Sequence, residues 1–171
     1  MTIAHPLEAA RDCFFHESLD RPLKNPDWRG CVLDRDRFTN ARLPEVIWYA
    51  LVSVTDTAEV QVCGYFSGIE RCQAVKSSWT DFASFMLEPQ NYSPEYVVFD
   101  ASGRWVIHAD VDVTTVAMDG ELAGLVDAYL GRRDTSLLGL TLDHFSMEQI
   151  MSAGGRYIRS VLGSALARKG V

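Results

Sequence analysis

The stretch YVVFDASGRWVIHAD, Tyr96 to Asp110, decides the fold. Tyr96 to Phe99 is a run of strand formers. Asp100-Ala101-Ser102-Gly103 is a four-residue loop in which Gly103 can take positive φ, and strand formers resume after Arg104. This is the pattern of a β-hairpin. Along the second arm Trp105, Ile107, Ala109, Val111 and Val113 share one face by period-two alternation. Arg104, Val106, His108, Asp110 and Asp112 share the other. The hairpin predicts an antiparallel sheet with one apolar and one more polar face.

Working outward, Ala58 to Phe66 alternates, with Val60 and Val62 facing one way and Glu59 and Gln61 the other. Glu70 to Val75 follows as a third strand. Val46 to Val54 (VIWYALVSV) is apolar on both faces and rich in β-branched and aromatic residues, which predicts a central strand. Cys31 to Phe38 reads as a short strand or an irregular segment. Four helices are expected. Pro6 to Ser18 opens on a proline suited to a first turn. Trp79 to Leu87 carries Trp79, Phe82, Phe85 and Met86 on one stripe and stops before Pro89. Leu122 to Leu130 has Asp119 and Glu121 at its N-terminus, where the dipole favours anions. The last helix runs from about Ser146 toward Ala167, capped by Ser146 or Asp143 and bent at Gly154-Gly155. The expectation is one α+β domain over residues 1–171. Its mostly antiparallel sheet of five or six strands packs against N- and C-terminal helices.

The chain has 171 residues, 47% apolar and 23% charged, within the globular range. No apolar run is long enough to span a bilayer, and the N-terminus lacks the basic and apolar regions of a signal peptide, so the protein is expected to be soluble and cytoplasmic. Cys13, Cys31, Cys63 and Cys72 show no CxxC pair or Cys/His cluster and read as reduced structural thiols. The net charge of −7 has an uneven source: residues 81 to 127 hold nine carboxylates and a single base, Arg104. Such a concentration suits a basic partner and argues against naked nucleic acid. Arg132, Arg133, Arg156, Arg159, Arg168 and Lys169 form the one loose basic grouping.

No catalytic, metal or cofactor motif emerges. His108, Asp110 and Asp112 lie in a row on one predicted strand face; such a row does not converge on one ion, and it reads as a solvated surface. Gly64 to Gly68 is not a nucleophile elbow, because its serine is not centred between the glycines. Ser152 to Arg156 lacks the lysine and spacing of a phosphate loop and reads as a helix kink. His5, His16 and His144 are isolated.

The hairpin segment, leading through Val116 to the acidic helix start, resembles a block in bacterial immunity proteins of polymorphic toxin and contact-dependent inhibition systems. Many of these have a strand, a D-x-S-G-x-W turn and a second acidic strand in an α+β domain of this size. The resemblance covers about 25 residues. It implies a stoichiometric inhibitor that binds one cognate toxin domain, with no cofactor and no chemistry of its own. Charge density and strand parity then nominate Asp110, Asp112, Asp119, Glu121 and His108 as the partner-binding face, with Glu95 and Asp100 behind them. Two other classes fit the sequence: a small enzyme whose pocket joins residues distant in sequence, and a generic ligand-binding or oligomerisation module.

Overall fold

A computed structural model describes residues 5–18, 21–34 and 45–167. Six strands form one sheet: β1 (Arg29–Asp34), β2 (Glu59–Phe66), β3 (Ile69–Lys76), β4 (Tyr96–Asp100), β5 (Trp105–Ala109) and β6 (Val113–Met118). Their order is β1-β6-β5-β4-β2-β3, and every neighbouring pair is antiparallel. The expected α+β single domain and antiparallel sheet are present. The deciding hairpin is β4–β5. Gly103 has φ 63°, and the Asp100 carboxylate accepts the Ser102 N–H at 3.1 Å to hold the turn.

The apolar run Val46 to Val54 is not a strand. It lies within helix α2 (Glu45–Thr55), whose buried residues are Ile47, Trp48, Ala50 and Leu51. That spacing is a helical stripe, and an apolar run of strand length cannot be assigned by β-propensity alone. Tertiary packing fixes the outcome. Trp48 stacks on Phe82 with ring centroids 4.0 Å apart and donates its indole N–H to the Ser77 carbonyl at 2.8 Å.

Helices cover both faces of the sheet. On one, α2, α3 (Trp79–Leu87) and α4 (Gly120–Gly131) bury Val62, Phe66, Val98, Trp105, Ile107 and Val116 in the main core. On the other, α1 (Pro6–Phe14) lays Leu7 and Ala10 over Cys63, Val97, Val106 and Ala117. The first helix ends earlier than its periodicity suggests, because Phe15 turns extended and bridges to Leu23.

The expected last helix is broken into pieces. Residues 137–142, not anticipated as helical, form α5 (Leu137–Leu142); α6 (Met147–Met151), α7 (Arg156–Leu162) and α8 (Ser164–Ala167) follow. Ser146 caps α6 in a reciprocal capping box with Gln149. The interruption falls at Ala153–Gly155, as the glycine pair foretells: a Cβ on Gly155 would lie 2.1 Å from the Ile150 carbonyl oxygen. Leu138, Ile150, Ile158, Val161 and Leu162 cover Val32 at the β1 edge. The end of the Cys31–Phe38 segment, Arg168 and Lys169 lie outside the described residues.

Cys63 and Cys72 face each other across β2 and β3 and are disulfide-bonded. This corrects the expectation of four reduced thiols; sequence spacing hid a pairing that strand register creates. Cys13 and Cys31 are free.

Candidate functional site

The five nominated residues do not form one face. The strand that was expected to carry His108, Asp110 and Asp112 stops at Ala109. Asp110 then makes the β5–β6 turn, its Oδ1 accepting the N–H groups of Asp112 at 2.8 Å and Val113 at 2.9 Å. Asp119 and Glu121 follow the far end of β6, five strand steps from Val113, or roughly 17 Å away. Asp119 is an N-cap, accepting the Leu122 N–H at 2.7 Å. It also takes two bonds from Arg104, at 2.6 and 3.1 Å. The guanidinium holds the Asp119 carboxyl below its ordinary value. Glu121 is 83% exposed and pairs with Arg104 at 3.3 Å.

Other carboxylates of the acidic segment are also structural. Asp100 is buried and bonded to Thr57 and Ser102. Asp127 pairs with Arg29 and accepts the Leu137 N–H. The concentration seen in sequence is dispersed over both ends of the sheet.

His108 is the exception, though not on a solvated face. It is buried under Phe15, with ring centroids 5.1 Å apart. Its Nε2 lies 2.8 Å from Glu95 Oε1, and Arg11 reaches the same oxygen at 3.5 Å. The bond to His108 is the largest reason that the Glu95 carboxyl sits below its usual range, with the charge of Arg11 adding to it. Opposite, the Tyr157 hydroxyl lies 2.8 Å from Thr115 Oγ1, and burial pushes its pKa up to about 12.

Two cavities open along α1 and share Arg11 as a wall. One, of about 320 Å³, runs between His108, Asp110, Tyr157 and the chain after α1. The other, of about 290 Å³, lies between His5, Tyr65, Glu70 and Glu95. Six carboxylates line the pair: Glu8, Asp12, Glu17, Glu70, Glu95 and Asp110. Against them the same walls hold one fixed cation, Arg11, and three histidines. The result is an electronegative groove with an oriented imidazole in its floor. Among the described residues no group of three or more metal-ligating side chains converges.

Of the residues nominated from sequence, His108 and Asp110 line this groove. Glu8, Arg11, Asp12, Glu17, Glu70 and Tyr157 were not nominated, and Glu95 stood behind the five. The signal for Glu95 was present. Pairing Tyr96 with Ala109 and Val97 with His108 leaves Glu95 beside His108 on the next diagonal. Nothing local points to Arg11 or Tyr157, which arrive on helices from opposite ends of the chain.

The fold and groove define an antiparallel sheet covered by helices on both faces, with an anionic cleft along the first helix. No family model, curated protein or solved structure matches the chain. No helix among the described residues is long and apolar enough to cross a membrane.

Proposed function

We propose that the protein is an immunity protein: a stoichiometric inhibitor that binds a cognate bacterial toxin domain through the acidic groove along α1. The observation that carries this reading is the imbalance of six carboxylates to one arginine around two adjoining cavities. A cleft of that sign attracts a basic surface and speeds its encounter. Nuclease toxins have such surfaces, because their substrates are polyanions. The resemblance of the β4–β5 hairpin to immunity proteins points the same way. The binding face thus shifts from the row first nominated to Glu8, Asp12, Glu17 and Asp110, with His108 beneath. Asp112 lines neither cavity and is exposed on the β5–β6 turn.

The test is to express the toxin domain encoded beside this protein, with and without it, and to score survival and co-purification. Wild type rescues through a direct complex. Glu8→Lys, Asp12→Lys and Glu17→Lys together leave the melting temperature near wild type and weaken the complex by at least about tenfold. Toxicity that the protein does not relieve, or a complex indifferent to these changes, refutes the reading for that pair.

One observation favours a second reading, a small enzyme. The imidazole of His108 is anchored by Glu95 beside a cavity, as an oriented general base would be. That reading requires saturable turnover that His108→Asn abolishes while the protein stays folded.

A further inference from the structure

Helices α2 and α4 pack against each other over the main core, and neither has a charged outer side. A surface helix normally turns polar residues to solvent opposite its buried stripe. α4 buries Leu122, Ala123, Val126 and Leu130. The opposite stripe, at helical spacing, reads Glu121, Gly124, Leu125, Ala128, Tyr129 and Arg132. Its two ends are charged and its middle is not. Leu125 is 48% exposed, and Gly124 and Ala128 are exposed beside it. On α2 no charged residue occurs from Val46 to Thr55, yet Tyr49 is 45% exposed and Ser53 is exposed one turn on. Exposed aromatic and aliphatic side chains in a patch emptied of charge, with charge at the rim, are the anatomy of a protein interface.

We propose that this face of α4 pairs with α4 of a second copy of the chain, the two helices running antiparallel about a two-fold axis. Read backwards, the stripe is its own complement, as an isologous contact requires. With the axis level with the middle of the stripe, Gly124 faces Tyr129 of the second copy, Leu125 faces Ala128, and Glu121 faces Arg132. Each pair occurs twice. Large side chains meet small ones at the centre, and opposite charges meet at both ends. Gly124 has the room, because a Cβ built there meets nothing within 4 Å. The ring that fills this gap is steadied by Arg133, 4.0 Å from the Tyr129 centroid. A parallel pair would instead set Tyr129 on Tyr129 and like charges together at both ends. Glu121 is only lightly engaged within its own chain. It makes one contact with Arg104, at 3.3 Å on a side chain 83% exposed, whereas the shorter bonds of Arg104 go to Asp119. Among the described residues Arg132 pairs with no carboxylate. The inference is independent of the inhibitor reading, since α4 and α1 cover opposite faces of the sheet and no toxin is needed.

The experiment is sedimentation equilibrium on the whole chain over a wide concentration range. Wild type gives a monomer–dimer equilibrium. Gly124→Leu fills the gap that Tyr129 of the second copy needs and weakens the dimer by at least about tenfold. Leucine is the better helix former and enters open space, so the melting temperature of the dilute monomer does not fall. Glu121→Arg and Arg132→Glu each create two like-charge pairs and weaken the dimer by about fivefold. An equimolar mixture of those two variants restores opposite charges at both ends and returns association to the wild-type level, which also shows that both are folded. A wild type that stays monomeric at the highest soluble concentration overturns the proposal. So does a dimer that Gly124→Leu leaves intact, or a pair of charge variants that fail to rescue each other. Hydrogen exchange adds a last arm: α4 amides slowed only when a toxin domain is added would give the face to a foreign partner and overturn self-pairing.

Discussion

Asp119 separates a scaffold role from a contact role, and its replacement has a calculable cost. Asp119→Ala removes the acceptor that caps α4 at 2.7 Å from the Leu122 N–H and the two oxygens that Arg104 grips at 2.6 and 3.1 Å. Loss of an aspartate cap costs about 1 kcal/mol. In a domain of this size each kcal/mol moves the melting temperature by about 2–4 °C. The cap alone therefore predicts a fall of about 2–4 °C, and loss of the Arg104 contact adds to it. Asp119→Asn keeps a cap acceptor but not the charge, so its fall is the smaller of the two. Glu121→Ala, at a side chain 83% exposed, leaves the transition in place. Calorimetry on the three variants, with Arg104→Ala completing a double-mutant cycle, measures each part. If Asp119→Ala melts with wild type, the N-cap and ion pair contribute nothing, and the reassignment of Asp119 from partner contact to scaffold is wrong.

Two further outcomes follow from the bonds around the sheet. Thiol titration of the unfolded, unreduced protein should find two reactive cysteines, Cys13 and Cys31, and Cys72→Ser should lower stability by about 2–3 kcal/mol, the loop-closure value for a separation of 9 residues; four reactive thiols would dismiss the pairing. Acid should destabilise the fold through Glu70, Glu95 and Asp119. Their folded pKa values are lowered by His5 and the Leu7 N–H, by His108 with Arg11, and by Arg104. For Glu70 these bonds outweigh an opposing effect of burial. A lowered carboxylate pKa gives stability that is present above the unfolded value and lost as pH falls through the folded one. Melting temperature should thus begin to drop below about pH 5, and Glu95→Gln should flatten the slope; a flat profile from neutral to strongly acid pH would refute the pairing.

The contrast between what local sequence signals and what it cannot signal runs through this chain. Period-two alternation and a four-residue turn sufficed for β2, β3, β4 and β5, because each strand meets its neighbour within a few residues of chain. The Trp79–Leu87 stripe sufficed for α3, since Ser78 caps it and Pro89 ends it. The failures have one physical source, which is packing between distant segments. Val46–Val54 satisfies strand propensity, yet Trp48 is claimed by Phe82 and Ser77, and those partners exist only once α3 is docked.

The acidic segment fails as a face for the same reason. Charge density along the chain counts carboxylates without asking what each one holds. Asp100 and Asp110 hold turns, Asp119 holds a helix and an arginine, and Asp127 joins α4 to β1 and α5. The groove that replaces it draws Glu8, Asp12 and Glu17 from the N-terminal region, where the sequence showed no excess. It draws His108, Asp110 and Glu95 from the hairpin, where it did. A carboxylate already bonded to its own backbone has less to offer a partner than an exposed one on a helix surface. Charge reversal at Asp110 would therefore damage the β5–β6 turn before it reported on binding. Glu8 and Asp12, at 59% and 52% side-chain exposure, pair with Arg11 of their own helix at 3.9 and 3.2 Å. Exposed pairs of this kind add little to stability, so a change of sign there reports on recognition more than on the fold.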